Sequence, residues 1–396
     1  MSESKDHRDI GRELDLFSFH EVAPGTVFWH GKGMIIWREL EKYLREKLDA
    51  LDYQEVSTPV MVKKELFEKS GHWQHYREQM FTLDVDGQTY VLKPMNCPES
   101  TLIYSSRTRS YRDLPIRLSE ITGRIHRKEL SGVVGGLLRV VQMTQDDAHH
   151  YARPDQVENE VADLMKLIKE FYSHFDMPLS FNLATRPENS MGDPKVWAEA
   201  EKDLESALKT AKVKYEVKEK DGAFYGPKID VNATDSQNRE WTIATIQLDF
   251  QMPEKFKLEY VAEDGSKKRP VMIHRAIAGT FERFIGIITE HFQGAFPLWL
   301  APVQAVLIPV SEKQDVKKIY EELKGNGIRA EIYESGETLP KRIREAELQK
   351  VPYILVVGEK EEKNKTINVR HKSKEGEIKI EELIEKIKSE INNKTI

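Results

Sequence analysis

The run from Arg124 to His150, RIHRKELSGVVGGLLRVVQMTQDDAHH, concentrates side chains that do chemistry. Arg127 and Glu129 precede a glycine-containing loop, Arg139 follows it, and Gln145, Asp147 and His149 crowd the far end. Leu137, Leu138, Val140 and Val141 supply the apolar stretch of a strand between them. A strand–loop–strand of this kind carries two arginines to the mouth of a sheet. Guanidinium forks there suit a polyphosphate, because Arg binds phosphate oxygens in pairs and keeps its charge. A hairpin with solvated arginines fits the same letters, and the run alone does not choose between the two.

The elements that position this run are read from periodicity and punctuation. Asp9 to Leu16 reads as a short helix, and Ile36, Leu40, Tyr43, Leu44, Leu48 and Leu51 recur at helical spacing. YQEVSTPVM follows as a strand whose Pro59 removes a ladder donor and belongs at an edge or an interface. FTLDVDGQTYVLK turns at Asp86-Gly87, a favoured two-residue hairpin. It delivers Lys93, Pro94, Met95, Asn96 and Cys97 to a strand end, with a helix from about Pro98. Ser110 to Ile121 reads as a strand entering the arginine run. Val157, Val161, Leu164, Ile168 and Phe171 mark a long helix started by Pro154 and Asp155. LSFNLAT is a strand, Asp193-Pro194 caps a helix to about Ala211, and GAFYGPKIDV pairs with EWTIATIQLDF as antiparallel strands.

A strand through Val271 and Ile273 ends at His274, and the helix after it carries Ile277, Phe281, Arg283, Phe284, Ile285 and Ile288. Arg283 needs a partner among such neighbours, since an unpaired buried charge is costly. Either Glu282 or Glu290 pairs with it at the rim, or it serves a phosphate. Pro297 and Pro302 punctuate a linker. Strand–helix–strand repetition beyond it gives a small α/β domain with a largely parallel sheet.

With 396 residues the chain holds two domains and a substantial core. The formal charge of −6 does not advertise nucleic-acid binding; residues 301–396 carry about +1 and the remainder about −7. Contact with a nucleic acid therefore needs local patches and is salt-sensitive. One cysteine excludes an intrachain disulfide framework and fits a reducing cytosol. MSESKDHRDIGREL lacks the apolar core of a secretory signal, and no stretch approaches a membrane span, so the expected location is cytoplasmic.

HRKE, the SG loop, LLRV and TQDDAH together resemble motif 2 and the following strand of threonyl-tRNA synthetases, a family of class II aminoacyl-tRNA synthetases. KPMNCP and KRPVMIHRAIAGTFERFIGIITEHF are similar to further stretches of that family, the latter to motif 3, and the likeness runs from about residue 5 to the C-terminus. It implies an α+β fold: a class II antiparallel sheet flanked by helices over 1–300, then a small α/β anticodon-binding domain over 301–396. The implied activity is threonine–tRNA ligation, with ATP, threonine and tRNA(Thr) as partners, Mg²⁺ accompanying ATP, and a homodimer formed through the helix and strand before Pro59.

By the same resemblance Arg127 and Arg283 are catalytic and hold phosphate. Glu129, Arg139, Met143 and Gln247 complete an ATP site, while Met95, Gln145, Asp147, Tyr225 and Lys228 face threonine or the nucleotide. Arg344, Glu361 and Arg370 stand where the family meets the anticodon, although a charged helix face looks much the same. The family's zinc falls on Cys97, His149 and His274. A lone cysteine is most often a small buried hydrophobe, and this scattered spacing is nothing like a zinc finger. Each of the three ends a predicted strand, however, and one Cys with two His leaves an open coordination position. His150 points the other way, because successive strand residues face opposite sides.

Three positions depart from the family. Glu99-Ser100 replaces the usual Gly-His, Met143 stands where an aromatic stacks on adenine, and Thr242 stands where Gln is common, so its contact is not carried over. The likeness also leaves no stretch for the N-terminal editing domain of many relatives. Serine differs from threonine by one methyl, a discrimination of about 10–200-fold. The chain is therefore expected to make seryl-tRNA(Thr) without clearing it in cis, leaving that to a separate trans-editing protein.

Overall fold

The computed structural model describes residues 4–128, 135–372 and 374–396, the side chain of Glu375 excepted. Glu129 and the SG loop lie outside the described residues. The chain forms two compact units. One comprises residues 19–27 and 43–286, the other 1–18, 28–42 and 287–396.

Among the described residues, the first unit is organised on a nine-stranded sheet. Its middle is antiparallel: Leu179–Ala184, Lys228–Thr234, Glu240–Asp249, Val271–Thr280, Gln142–Ala152 and Ile116–Glu120 lie side by side in that order. Parallel pairings appear only at the margins, with Tyr215–Lys218 at one side and Gln54–Glu55 at the other. The helix Val157–Ser173 packs by its apolar stripe; Phe171 stacks on Tyr43 at 5.5 Å and meets Phe175 and Phe284 at 5.1 and 5.6 Å. The fold is thus α+β, as the sequence implies.

The Asp86-Gly87 hairpin is as expected, with φ of 51° and 76° at its two turn residues, and Val85 opposite Gln88. Three other readings are corrected. YQEVSTPVM is two short strands, Gln54–Glu55 and Met61–Lys63, in different sheets. Between them Thr58 gives its backbone N–H and its hydroxyl to the Glu120 carboxylate instead of to a neighbouring strand. The strand expected from Ser110 begins only at Ile116, because Ser110 and Asp113 close a capping box around a turn of 3₁₀ helix. The strand holding His274 continues to Thr280, so Ile277 is not helical; the helix is Phe281–His291. Asp146 Oδ2 accepts the backbone N–H groups of Ile277 and Ala278 at 2.8 and 3.0 Å, replacing ladder bonds where the register shifts.

In the second unit a five-stranded sheet has the order Ala330–Ile332, Ala305–Pro309, Tyr353–Val357, Thr366–His371, Lys374–Lys379. Its first two pairings are parallel and its last two antiparallel, so the sheet is mixed rather than largely parallel. Apolar clusters cover both faces, Leu307, Leu355 and Leu383 on one and Ile308, Ile354 and Ala346 on the other. Among the described residues no helix is long and apolar enough to cross a membrane.

Candidate active site and metal centre

Strand register assembles the site. Lys228 lies opposite Gln247, Gln247 opposite His274, and His274 opposite His149, so residues from four strands form one row across the sheet. Residues directly opposite in antiparallel pairs share a face. The next row on that face reads Asp230, Thr245, Ala276, Asp147, Glu120. Over these rows lies a cavity of about 330 Å³, lined among others by Met95, Cys97, Arg127, Gln145, Tyr225, the four residues of the first row, and Thr245 and Asp147 of the second. Ten of the residues singled out from the sequence therefore converge.

Cys97 reaches the rows from outside the sheet. It opens the helix Cys97–Ser105, with Pro98 fitting the first turn, where its missing N–H costs nothing. The ligand atoms of Cys97, His149 and His274 all lie within 4.8 Å of one another, and all three residues are buried. The two histidines stand mid-strand rather than at strand ends, which corrects the sequence expectation: it is cross-strand pairing, not shared ends, that joins them. Burial holds His149 well below the usual imidazole range, and neutral imidazole is the form that ligates. It also pushes the Cys97 thiol well up, so its proton leaves only against a strong cation. One sulfur and two nitrogens with a side open to the cavity fit zinc.

Around this set stand residues the sequence did not single out. Asn96 Nδ2 donates to Asp147 Oδ2 at 3.1 Å. Burial pushes the Asp147 carboxyl up to about 6. His72 Nε2 lies 3.5 Å from Cys97 Sγ, its Nδ1 2.8 Å from Ser70 Oγ. Asp249 Oδ2 lies 3.0 Å from His274 Nε2. Their types gave no signal beyond composition; only the folded register brings them to the ligands. The Tyr225 hydroxyl bonds Gln247 Oε1, and Lys228 pairs with Asp230 at 2.7 Å. Gly226 beside Tyr225 admits no side chain, since a Cβ there would sit 1.7 Å from the Leu248 carbonyl oxygen.

Toward the arginines the site changes character. Arg127 Nη2 lies 3.6 Å from the Met143 sulfur. Arg283 pairs with neither expected carboxylate: Glu282 accepts the Thr144 N–H at 2.9 Å, and Glu290 contacts His7 at 2.6 Å. Its guanidinium lies 5.7 Å from the Trp241 ring, and its buried Nε has no hydrogen-bond partner among the described residues. Burial first, and Arg139 second, make its positive charge harder to hold. Two arginines so placed invite an anion. Glu129, expected beside them, lies outside the described residues. The Glu99-Ser100 departure is buried: Ser100 Oγ bonds the Tyr151 hydroxyl at 2.9 Å, and burial raises the Glu99 carboxyl to about 8. Thr242 bonds Asn232 instead of facing the cavity.

In the second unit Arg344 is exposed on the helix Leu339–Leu348, and Glu361 accepts the Gly358 N–H at 3.0 Å as a helix cap. Arg370 lines a cavity of about 580 Å³ with Phe296, Ile354 and Lys372.

Residues 81–292 match the family model of the tRNA synthetase class II core domain (G, H, P, S and T), and 304–390 match that of the anticodon binding domain. A threonine–tRNA ligase of Caldanaerobacter subterraneus subsp. tengcongensis is 51% identical over 402 residues, covering 100% of this chain and 62% of that protein. One of Carboxydothermus hydrogenoformans is 49% identical over 99% of this chain and 62% of its own length. The chain thus spans about three-fifths of the curated relatives it matches. A crystal structure of the RNA binding domain of threonyl-tRNA synthetase from Cryptosporidium parvum Iowa II superposes with a TM-score of 0.94 at 38% identity, covering 97% of this chain and 98% of that one. By the match of its core domain over more than half its length, and by a likeness that runs end to end, the chain belongs to the threonyl-tRNA synthetase family of class II synthetases.

Proposed function

We propose that the chain activates threonine with ATP and transfers it to tRNA(Thr), working in the cytosol as a homodimer, with 1–300 as catalytic part and 301–396 as anticodon-binding part. The observation that carries this reading is the row Lys228–Gln247–His274–His149 with Cys97 over it, set in one cavity with Arg127. Cys97, His149 and His274 would hold zinc, which when bound supplies a Lewis-acid position for the amine and hydroxyl of threonine. That demand rejects valine, which has no hydroxyl, far better than a cavity of the same size would.

The remaining work falls to the protein's own side chains. Asp147, held by Asn96, accepts from the substrate amine. Tyr225, Gln247 and Lys228 border the space for its carboxylate and the nucleotide, with Met95 and Gln145 closing the walls. Arg127, Arg139 and Arg283 neutralise phosphate charge, with Mg²⁺ accompanying ATP, and Met143 covers the adenine face with its polarizable sulfur. The threonine carboxylate attacks the α-phosphorus and pyrophosphate leaves; the terminal ribose hydroxyl of the tRNA then attacks the adenylate carbonyl and AMP leaves. The arginines stabilise the charge that builds at phosphorus, where preorganised donors act most strongly. Arg344, Glu361 and Arg370 are the proposed anticodon contacts.

The test is ATP–pyrophosphate exchange with threonine, valine and serine offered separately. Exchange with threonine, little with valine, and measurable leakage with serine is expected, with preformed seryl-tRNA(Thr) left uncleared by this chain. Exchange dependent on another amino acid would overturn the threonine reading. Cys97→Ser is expected to abolish stoichiometric zinc and threonine activation together while circular dichroism stays unchanged.

A further inference from the structure

Asp249 lies outside the ligand set and touches it. It ends the strand Glu240–Asp249, two residues from Gln247 and so on the same face, diagonal to His274. Oδ1 accepts the backbone N–H groups of Gln251 and Met252 at 2.7 and 2.9 Å, anchoring the short helix Gln251–Lys255. Oδ2 lies 3.0 Å from His274 Nε2. The carboxylate is 1% exposed and both its oxygens are engaged, so it cannot turn without breaking two backbone bonds.

A carboxylate accepts and does not donate. The contact with His274 therefore places the ring proton on Nε2 and leaves the lone pair on Nδ1. We propose that Asp249 is a positioning residue of the metal centre: it accepts the Nε2 proton of His274 and fixes the tautomer and ring plane in which Nδ1 is the ligand atom. This rests on the metal-centre reading above. A metal-ligating histidine whose other nitrogen is held in this way loses about 10–100-fold in metal affinity when the holder is changed. The strand does two jobs at once here, since the same residue that stops it also sets the ligand.

Asp249→Asn separates these roles. The amide oxygen can keep the two helix N–H groups, while its NH₂ faces Nε2 as a donor and drives the proton onto Nδ1. Zinc affinity of the intact chain, measured by competition with a chromophoric chelator, is expected to fall about 10–100-fold, with unchanged circular dichroism. Wild-type zinc binding with an unchanged affinity in Asp249→Asn overturns the Asp249 assignment alone. A wild-type chain that takes up no zinc overturns the metal centre and this inference with it. A measurement independent of the variant's folding is the long-range ¹H–¹⁵N spectrum of zinc-loaded wild type, with His274 assigned through His274→Gln. A proton on Nε2 is the expected result, and a proton on Nδ1 with Nε2 ligating overturns the proposal.

Discussion

Along the strand Gln142–Ala152, Asp147 and His149 face the cavity, while Asp146, Ala148 and His150 face the opposite layer. The back-facing charges are closed inside the protein. Asp146 meets Arg275 at 2.6 Å with both side chains wholly buried, and takes two backbone N–H groups besides. His150 lies 2.8 Å from both the Glu160 carboxylate and the Tyr53 hydroxyl, and Arg117 Nε reaches the same carboxylate at 2.8 Å. On the cavity side the same residue types are braced from behind but left open in front, and Arg283, unlike Arg275, has no carboxylate partner among the described residues, only the Trp241 ring beside its guanidinium. A buried charge is tolerated either by pairing, which makes it structural, or by waiting for a ligand, which makes it functional. One strand does both at alternate positions.

The sharpest way to break this comparison is Asp146→Ala. It strands the Arg275 charge and two N–H groups, so urea unfolding is expected to show a loss of about 3–5 kcal/mol; wild-type stability would remove the distinction between the faces. Arg283→Ala, on the open side, should leave unfolding unchanged while lowering threonine-dependent exchange about 10²–10³-fold. An equal loss in stability would mean that Arg283 belongs with the paired group.

Glu160→Gln sharpens the paired side through pH. Burial alone would raise the Glu160 carboxyl, but hydrogen bonds from His150 and Arg117 outweigh it and bring it to about 2. A depressed carboxylate stabilises fully above its unfolded value near 4.5 and loses that contribution as pH falls toward 2. The wild-type advantage over Glu160→Gln, about 3 kcal/mol at pH 7, should therefore shrink between those values in unfolding curves taken at stepped pH. The smallest effect is expected from Asn96→Ala, which frees Asp147 on the open side: about a tenfold rise in the KM for threonine, with little change in kcat. A kcat effect without a KM effect would place Asn96 in the chemical step instead.

Alternation was legible in the sequence, and it sufficed to set His150 apart from His149. Local turn chemistry was legible too, as at Asp86-Gly87 and at Asp193, which caps the helix Pro194–Thr210. The row of Lys228, Gln247, His274 and His149 was not, because register between strands so far apart in the chain is fixed only when the sheet forms. Helical spacing misled at Ile277, where the Asp146 carboxylate supplies the bonds that keep the chain extended. In the second unit, Thr366–His371 offers only Ile367 and Val369 as apolar residues and the Lys/Glu-rich Lys374–Lys379 only Ile378, too few to announce an antiparallel hairpin. The bracing residues Asn96, His72 and Asp249 were invisible for a simpler reason: each matters only through what it touches.

The sheet order has a consequence for how the site comes apart. His149 and His274 ride on central strands, flanked on both sides by further strands, so their amides should exchange with solvent only when the whole unit unfolds. Cys97 instead opens a nine-residue helix outside the sheet, reached through the small three-stranded sheet of Met61–Lys63, Phe81–Val85 and Gln88–Leu92. Segments of that kind open locally at lower cost. Under mild denaturant the sulfur would let go while both imidazoles stay in register, so loss of the thiolate-to-metal absorption of a cobalt-substituted chain would precede the main unfolding transition.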